Sequence, residues 1–434
     1  MANGVIDTLM AGRYSTVDLA AVGVGTAIYV SVFIALMGVL MALTPIASQL
    51  YGAARYAEIG EEVRQCAWLS LVLGLACFIA LKYPEPFLAI SRLQPEVEAK
   101  TRAYLSAASW GVPAMLLFRV FYGFSNAVSR PRPVMVLNII GLVLKVPLNW
   151  LLMYGKFGLP ELGGVGCAVS GTIIAWVTCV LAWAWCYRES EFQRYRVFAR
   201  FSMPRWRIQW NIVSLGLPIG ITFFVDVTGF TFMALFIARL GALNSAAHQI
   251  AGNFAALLFM LPLSLGNAAS VLVGQAIGAR EPARARATAL AGIATAVVLG
   301  IVLAFLVRLS SAQIAGFYTA DGEVKRIAAG LLALVAVYHV FDAIQAVASN
   351  VLRGYKRAVV PMVIYAVALW GVGLGGGYTL GLTGVDLGLA GDWRISIAPM
   401  GARGFWIAAS TSLALAGVLV TVYFLRVSRV AGKR

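Results

Sequence analysis

"VAVYHVFDAIQAVASNVLRGYK", residues 335–356, reads as one long apolar helix with an aspartate, Asp342, near its middle. How that residue is accommodated decides what kind of fold this is. An apolar run of about 20 residues crosses a hydrocarbon core. A carboxylate at the centre of such a span costs roughly 2.5–3.5 kcal/mol on insertion scales. The chain must therefore neutralise the charge or use it. Tyr338 and His339 lie one turn before Asp342, and Gln345 and Ser349 continue the stripe at helical spacing. A polar track of this kind faces a cavity rather than lipid.

The remaining sequence has the same character. Of 434 residues, 61% are hydrophobic and only 12% charged. The mean hydropathy is +0.84, outside any soluble globular class. Apolar runs of spanning length recur from end to end, so the expected fold is an all-α polytopic membrane protein. The net charge of +16 is read as positive loops that fix membrane orientation, with no nucleic-acid partner. Cys66, Cys77, Cys167, Cys179 and Cys186 lie in or beside apolar runs without CxxC pairing. They read as small core hydrophobes, not as a disulfide framework or zinc site.

Spans are expected at 1–11 (partial), 19–43, 65–81, 103–124, 134–153, 164–187, 211–238, 244–270, 287–307, 327–350, 359–382 and 404–425. With twelve segments both termini share a side. If that side is the cytoplasm, its loops and tail hold 20 of the 34 Lys and Arg, against 12 outside, so both termini are expected to be cytoplasmic. The halves repeat. A shift of 226 places Arg13 on Arg239, Gln49 on Gln275 and Gly52-Ala53 on Gly278-Ala279. An even number of helices per repeat makes it a parallel one. The organisation is then an N-terminal six-helix lobe over 1–187, a basic cytoplasmic linker over 188–210, a C-terminal lobe over 211–425 and a tail over 426–434. The first span meets Arg13 after half a membrane thickness, whereas the seventh carries Pro218 some ten residues ahead of anything in the first. Symmetry leads us to expect that the first helix begins upstream of Met1.

Of the 18 acidic residues, only Asp7, Asp226 and Asp342 fall inside these spans. Each has a polar residue one turn earlier: Asn3, Thr222 and Tyr338 respectively. Ionisable groups near a repeat interface are where transporters bind ions and substrates; the bland alternative is a hydrogen-bonded structural carboxylate. Lys145 is as unusual, lying about 18 Å past Pro133 with Asn149 one turn on; the alternative there is a snorkelling lysine. Arg119, nearer an interface, is read as packing or snorkelling. His339 is either a proton-transfer group or a satisfied interior histidine. His248 is expected to bond backbone or a neighbouring helix. "GVGLGG" (371–376) matches a dinucleotide-binding pattern formally, but no strand precedes it, and helix packing explains its glycines.

Several stretches together resemble one family. "DTLMAGRYSTVDLAAVGVGTAIY", "ALTPIASQLYGAAR", "VPLNWLLMYGKFGLPELGGVGCAVSGT", "AAHQIAGNFAALLFMLPLSLGNAASVLVGQAIGA" and "DAIQAVASNVLRGYK" are similar to the multidrug and toxic compound extrusion (MATE) family, in its NorM-type bacterial branch. The resemblance covers about residues 4–425. It implies twelve helices in two pseudo-symmetric lobes around a central cavity. It also implies export of organic, mostly cationic or amphipathic compounds across the bacterial inner membrane by Na+ or H+ antiport, by a monomer without other cofactors. By position, Asp7 matches the family's first-helix acid, Tyr338 and Asp342 its tenth-helix pair, and Asn149 one of two fifth-helix asparagines. Asp226 stands where the branch has glutamate, and Lys145 where it has the other asparagine. The candidate ion-coupling residues are thus Asp342, Asp226, Asp7 and Tyr338, with a metal site limited to Na+ at Asp226 and Asp342. Lys145, Asn149, Asn3 and Thr172 are the candidate first-lobe cation site, and His339, Gln345 and Thr222 the candidate proton or substrate contacts.

Two further expectations complete the reading. Lys145, about 15 Å inside Gly155, and Asp7, about 9 Å inside Arg13, are expected to pair, the ammonium acting as a built-in counterion in the first lobe. The alternative function is a flippase for a lipid-linked saccharide, which would want a strongly cationic cavity; Lys145 and Arg119 are a thin basis for one. A membrane-embedded enzyme would need a metal or catalytic cluster, and two histidines with no HExxH motif argue against it.

Overall fold

The computed structural model describes residues 2–91, 93–388 and 394–431. Every apolar run identified above folds as a helix, as hydrocarbon requires, because there the backbone groups can be satisfied only within the segment itself. The chain divides into two compact units, Met1–Gly220 and Ile221–Arg434.

The first unit comprises α1 (Ala2–Tyr14), α2 (Thr16–Leu40), α3 (Leu43–Gly52), α4 (Tyr56–Lys82), α5 (Glu85–Ser91), α6 (Pro95–Ser109), α7 (Val112–Ala127), α8 (Arg132–Met153), α9 (Val165–Arg188), the short α10 (Ser190–Gln193) and the start of α11 (Trp206–Ala238). α6 and α7 form one span broken by a 45° bend. Pro113, in the first turn of α7, has no N–H to give the preceding turn, and Gly111 lets Thr172 approach: a Cβ there would lie 3.0 Å from its hydroxyl. Asp18 falls between the expected spans 1–11 and 19–43. It lies in the first turn of α2, only 1% exposed, where it accepts from Lys100 (2.6 Å) and from the Gly164 N–H (2.8 Å). This ties the starts of α2 and α9 to α6. Residues 196–205 fold onto α4, whose Glu61, Arg64, Gln65 and Trp68 share one face at helical spacing. Arg64 donates to the carbonyls of Arg196 and Val197, and Trp68 to that of Ser202.

The second unit comprises the rest of α11, then α12 (Ala242–Gly278), α13 (Pro282–Tyr318), α14 (Gly322–Gly354), α15 (Val359–Ala366), α16 (Gly376–Tyr378), the strands β1 (Val385–Gly388) and β2 (Arg394–Ile397), and α17 (Ala402–Ala431). π-helical turns over Val367–Gly375 and Thr379–Thr383 join α15 and α16 into one span. The strands pair antiparallel, Val385 opposite Ile397. Within 371–376 the close packing expected of the glycines falls on Gly373, while Gly371 meets nothing within 4 Å. A Cβ at Gly373 would meet the Ser412 hydroxyl at 3.0 Å, and one at Gly404 the Leu380 backbone at 2.6 Å.

Among the described residues ten helical segments are long and apolar enough to cross a membrane, and the bent α6–α7 pair, taken as one span, is an eleventh. α1, with 13 residues, is the twelfth and shorter than a full span. All five cysteines are buried and free. Arg119 lies 4.8 Å from the Tyr122 ring centroid, a packing role.

Candidate functional site

In the first unit a closed polar cluster joins three helices. α8 presents Lys145 and Asn149 on one face, four residues apart. α9 presents Cys167 and Ser170, three apart. The "GGVG" turn allows the two helices to approach, since a Cβ at Gly166 would lie 2.8 Å from the Met153 nitrogen. α1 supplies Asp7. The Lys145 ammonium is 3% exposed. It lies 3.0 Å from Asp7 Oδ1 and donates to the Cys167 carbonyl (3.0 Å) and Ser170 Oγ (3.1 Å). Its three N–H donors are all engaged. Asn149 Nδ2 donates to the same Asp7 oxygen (2.7 Å), and the Ser170 hydroxyl donates to Asn149 Oδ1. Lys145 therefore does not snorkel: it faces the carboxylate, well inside the 6 Å within which a charge partner matters.

Two expected members lie elsewhere. Thr172 donates to the Ala107 carbonyl of α6 (2.9 Å); two residues past Ser170 it has turned about 200° round the helix. Asn3 is exposed, one turn beyond the cluster. Ser170 and Cys167 went unrecognised in the sequence, because small polar residues in an apolar helix carry no periodic signal. Their three-residue spacing across from Lys145 was the available clue.

In the second unit Asp226, on α11, accepts from the Tyr365 hydroxyl of α15 at 2.6 Å. It lines a cavity of about 40 Å³ with Thr222, Gln345, Ser349, Arg353 and Tyr365, room for about one water or a dehydrated ion. Asp342, on α14, is 5% exposed. Asp226, Asp342, Tyr338 and Tyr365 lie within electrostatic range of one another. Among the described residues neither carboxylate has an ion-pair partner within 4 Å. Gln345 Nε2 donates to Ser349 Oγ at 3.0 Å, which links the last two residues of the stripe expected on α14. Tyr338 packs edge-on against Trp406, with ring centroids 5.4 Å apart.

Arg353 lies past the expected 327–350 span but still within the helix. α14 continues to Gly354, and Arg353 is buried, donating to Asn350 Oδ1 (3.1 Å) with its guanidinium over the Phe223 ring. His339 is buried, and its Nε2 has no hydrogen-bond partner among the described residues. His248 was expected to hydrogen-bond. Its ring packs tilted against that of Trp406, with centroids 5.8 Å apart, and Nδ1 has no partner among the described residues.

The chain has well-defined relatives. The MatE family model matches residues 2–151 and 218–379. The chain is 41% identical over 376 residues to the "Probable multidrug resistance protein NorM" of Aromatoleum aromaticum, covering 87% of this chain and 81% of that protein. It is 38% identical over 421 residues to the multidrug resistance protein NorM of Vibrio parahaemolyticus, covering 96% and 90%. A solved structure of the MATE transporter NorM-NG in complex with rhodamine 6G and a monobody superposes with a TM-score of 0.81 at 32% identity, covering 99% of this chain and 92% of that one.

Proposed function

The chain belongs to the MatE family, and from that premise we propose that it is a secondary active multidrug efflux transporter. In this reading it exports organic, mostly cationic compounds across the bacterial inner membrane in exchange for Na+ or H+. The relatives' names and the rhodamine-bound neighbour support multidrug export. The coupling assignment rests on one observation: the two units treat the carboxylates of their spans differently, Asp7 and Asp342 being buried and Asp226 half-buried. Asp7 is held by a fixed ammonium, whereas Asp226 and Asp342 share one electrostatic neighbourhood beside a small cavity with no ion-pair partner within 4 Å among the described residues.

Buried carboxylates without a fixed countercharge must be protonated or take up a cation. That requirement makes them an exchangeable site, and a site whose cation affinity differs between outward- and inward-open states is what an antiporter needs. Asp342 and Asp226 are then the coupling pair. Tyr365 orients Asp226, Tyr338 shields the site, and His339, Gln345 and Thr222 border the proton or substrate path. One charge moving through 100 mV supplies about 2.3 kcal/mol, enough for roughly a 40-fold gradient. Alternating access by a monomer with both termini cytoplasmic completes the reading. A flippase would need free cationic groups, and here Lys145 is engaged by Asp7 and Arg119 by Tyr122.

The test is uptake of a lipophilic organic cation into proteoliposomes under an imposed inward-to-outward Na+ or proton gradient. Uptake driven by one of the two gradients is expected. Uptake indifferent to both, in vesicles where a control antiporter works, would remove the coupling claim.

A further inference from the structure

The first unit holds a second cavity, far larger than the one at Asp226, and the transport reading does not use it. It measures about 470 Å³, within the 300–1,000 Å³ range of ligand pockets, and is walled by Trp68 and Leu71 of α4, Leu117 of α7, Trp183 of α9, and Phe198 and Phe201 of the basic segment. It extends from Val63 to Leu71 along α4, about 12 Å at 1.5 Å per residue. Its lining is almost wholly apolar except at one end, where Arg64 and Arg200 stand.

The segment forming its outer wall is held in place rather than draped. Arg64 Nε donates to Ser202 Oγ (3.0 Å), Gln65 Nε2 to the Met203 carbonyl (2.8 Å), and the Arg205 N–H to Gln65 Oε1 (2.7 Å). Phe201 stacks edge-on with Trp68 at 5.8 Å, and Phe198 with Trp183 at 6.0 Å. Yet Phe201, Met203 and Trp206 are 77%, 70% and 76% exposed. Large apolar side chains so exposed within six residues are costly in water and at home in the headgroup region of a bilayer. The charges point the same way. The one carboxylate of Glu61 is shared by three guanidiniums, Arg64 at 2.6 Å, Arg200 at 3.3 Å and Arg205 at 3.8 Å. Residues 188–210 carry six arginines against two glutamates. An uncompensated positive charge therefore sits at the mouth of an apolar cavity, in a segment built for the interface.

We propose that this cavity is a binding site for an anionic phospholipid, with one acyl chain between Trp68, Leu117 and Trp183 and the phosphate on Arg200 and Arg205. An acyl chain satisfies the apolar walls, and a phosphodiester satisfies guanidiniums in the geometry they favour. A zwitterionic lipid would bring its own ammonium to a site already rich in cations.

Native mass spectrometry of the full chain in neutral detergent reads this directly. Phosphatidylglycerol, phosphatidylcholine, palmitate and inorganic phosphate are each titrated alone. One phosphatidylglycerol per chain is expected to be retained on the order of tenfold more tightly than phosphatidylcholine, from the worth of basic residues near an anionic headgroup. Arg200 and Arg205 are 63% and 57% exposed, so the R200Q/R205Q double variant should fold normally and lose that preference. Ala67→Trp, which fills the cavity, should abolish retention while leaving the melting temperature in lipid-free detergent within a few degrees. Equal retention of the two phospholipids, or a preference that survives R200Q/R205Q, would overturn the site. So would retention that survives Ala67→Trp. Palmitate or inorganic phosphate binding as tightly as phosphatidylglycerol would overturn the phospholipid assignment in favour of a fatty acid or a free anion.

Discussion

At the scale of single residues, the distinction between a tethered and an exchangeable countercharge has measurable consequences. Removing one partner of a buried ion pair typically costs 3–5 kcal/mol. Lys145→Met should therefore lower the melting temperature markedly, and Asp7→Asn added to it should recover most of the loss. A fully stable Lys145→Met protein would mean that the contact with Asp7 contributes nothing. Lys145→Asn keeps a polar side chain beside Asp7 while vacating the cation position, so Na+ affinity or Na+ dependence absent from the parent is expected, read by calorimetry or by transport at varied Na+. At the other site, Tyr365→Phe deletes the 2.6 Å bond to Asp226. It should weaken coupling on the order of tenfold, the value of one hydrogen bond to a charged group, with expression unchanged. Wild-type coupling in that variant would make the bond incidental. The legibility of these residues in the sequence followed their chemistry. A lysine and an aspartate buried in apolar helices each demand a partner, so their pairing could be anticipated. Tyr365, Ser170 and Arg353 could not: a hydroxyl in a span, or an arginine at its end, has several inexpensive fates.

At the scale of helices, hydropathy located the spans because about 20 apolar residues are needed to cross, and little else in the chain is that apolar. It did not reveal the 45° break between α6 and α7, the π-helical turns after α15 or the β1–β2 hairpin. Those depend on which backbone bonds Pro113 forgoes and how closely glycines let α17 approach, neither of which changes hydropathy. The close approach is testable. A Cβ at Gly404 would lie 2.6 Å from the Leu380 backbone, whereas one at Gly371 meets nothing within 4 Å. Gly404→Ala should cost about 1–3 kcal/mol by overpacking and reduce the yield of folded protein, and Gly371→Ala should be neutral. Similar melting temperatures for the two would contradict the packing described.

At the scale of the whole molecule, the charge asymmetry of the loops predicts orientation. In a cysteine-free background, Met203→Cys, 70% exposed in the basic segment, should react with an impermeant maleimide only from the cytoplasm, and Phe157→Cys, 89% exposed, only from outside. The reverse pattern would invert the topology. The two units differ in chemistry: Asp7 is paired with Lys145, whereas among the described residues no ion-pair partner lies within 4 Å of Asp226 or Asp342. The central claim is that Asp342 exchanges the coupling cation. Its most direct test compares Asp342→Asn with wild type in one proteoliposome preparation, measuring both gradient-driven uptake and substrate counterflow without an ion gradient. The account predicts that Asp342→Asn loses gradient-driven uptake, to below a tenth of wild type, while keeping counterflow. Gradient-driven uptake at the wild-type rate would contradict it.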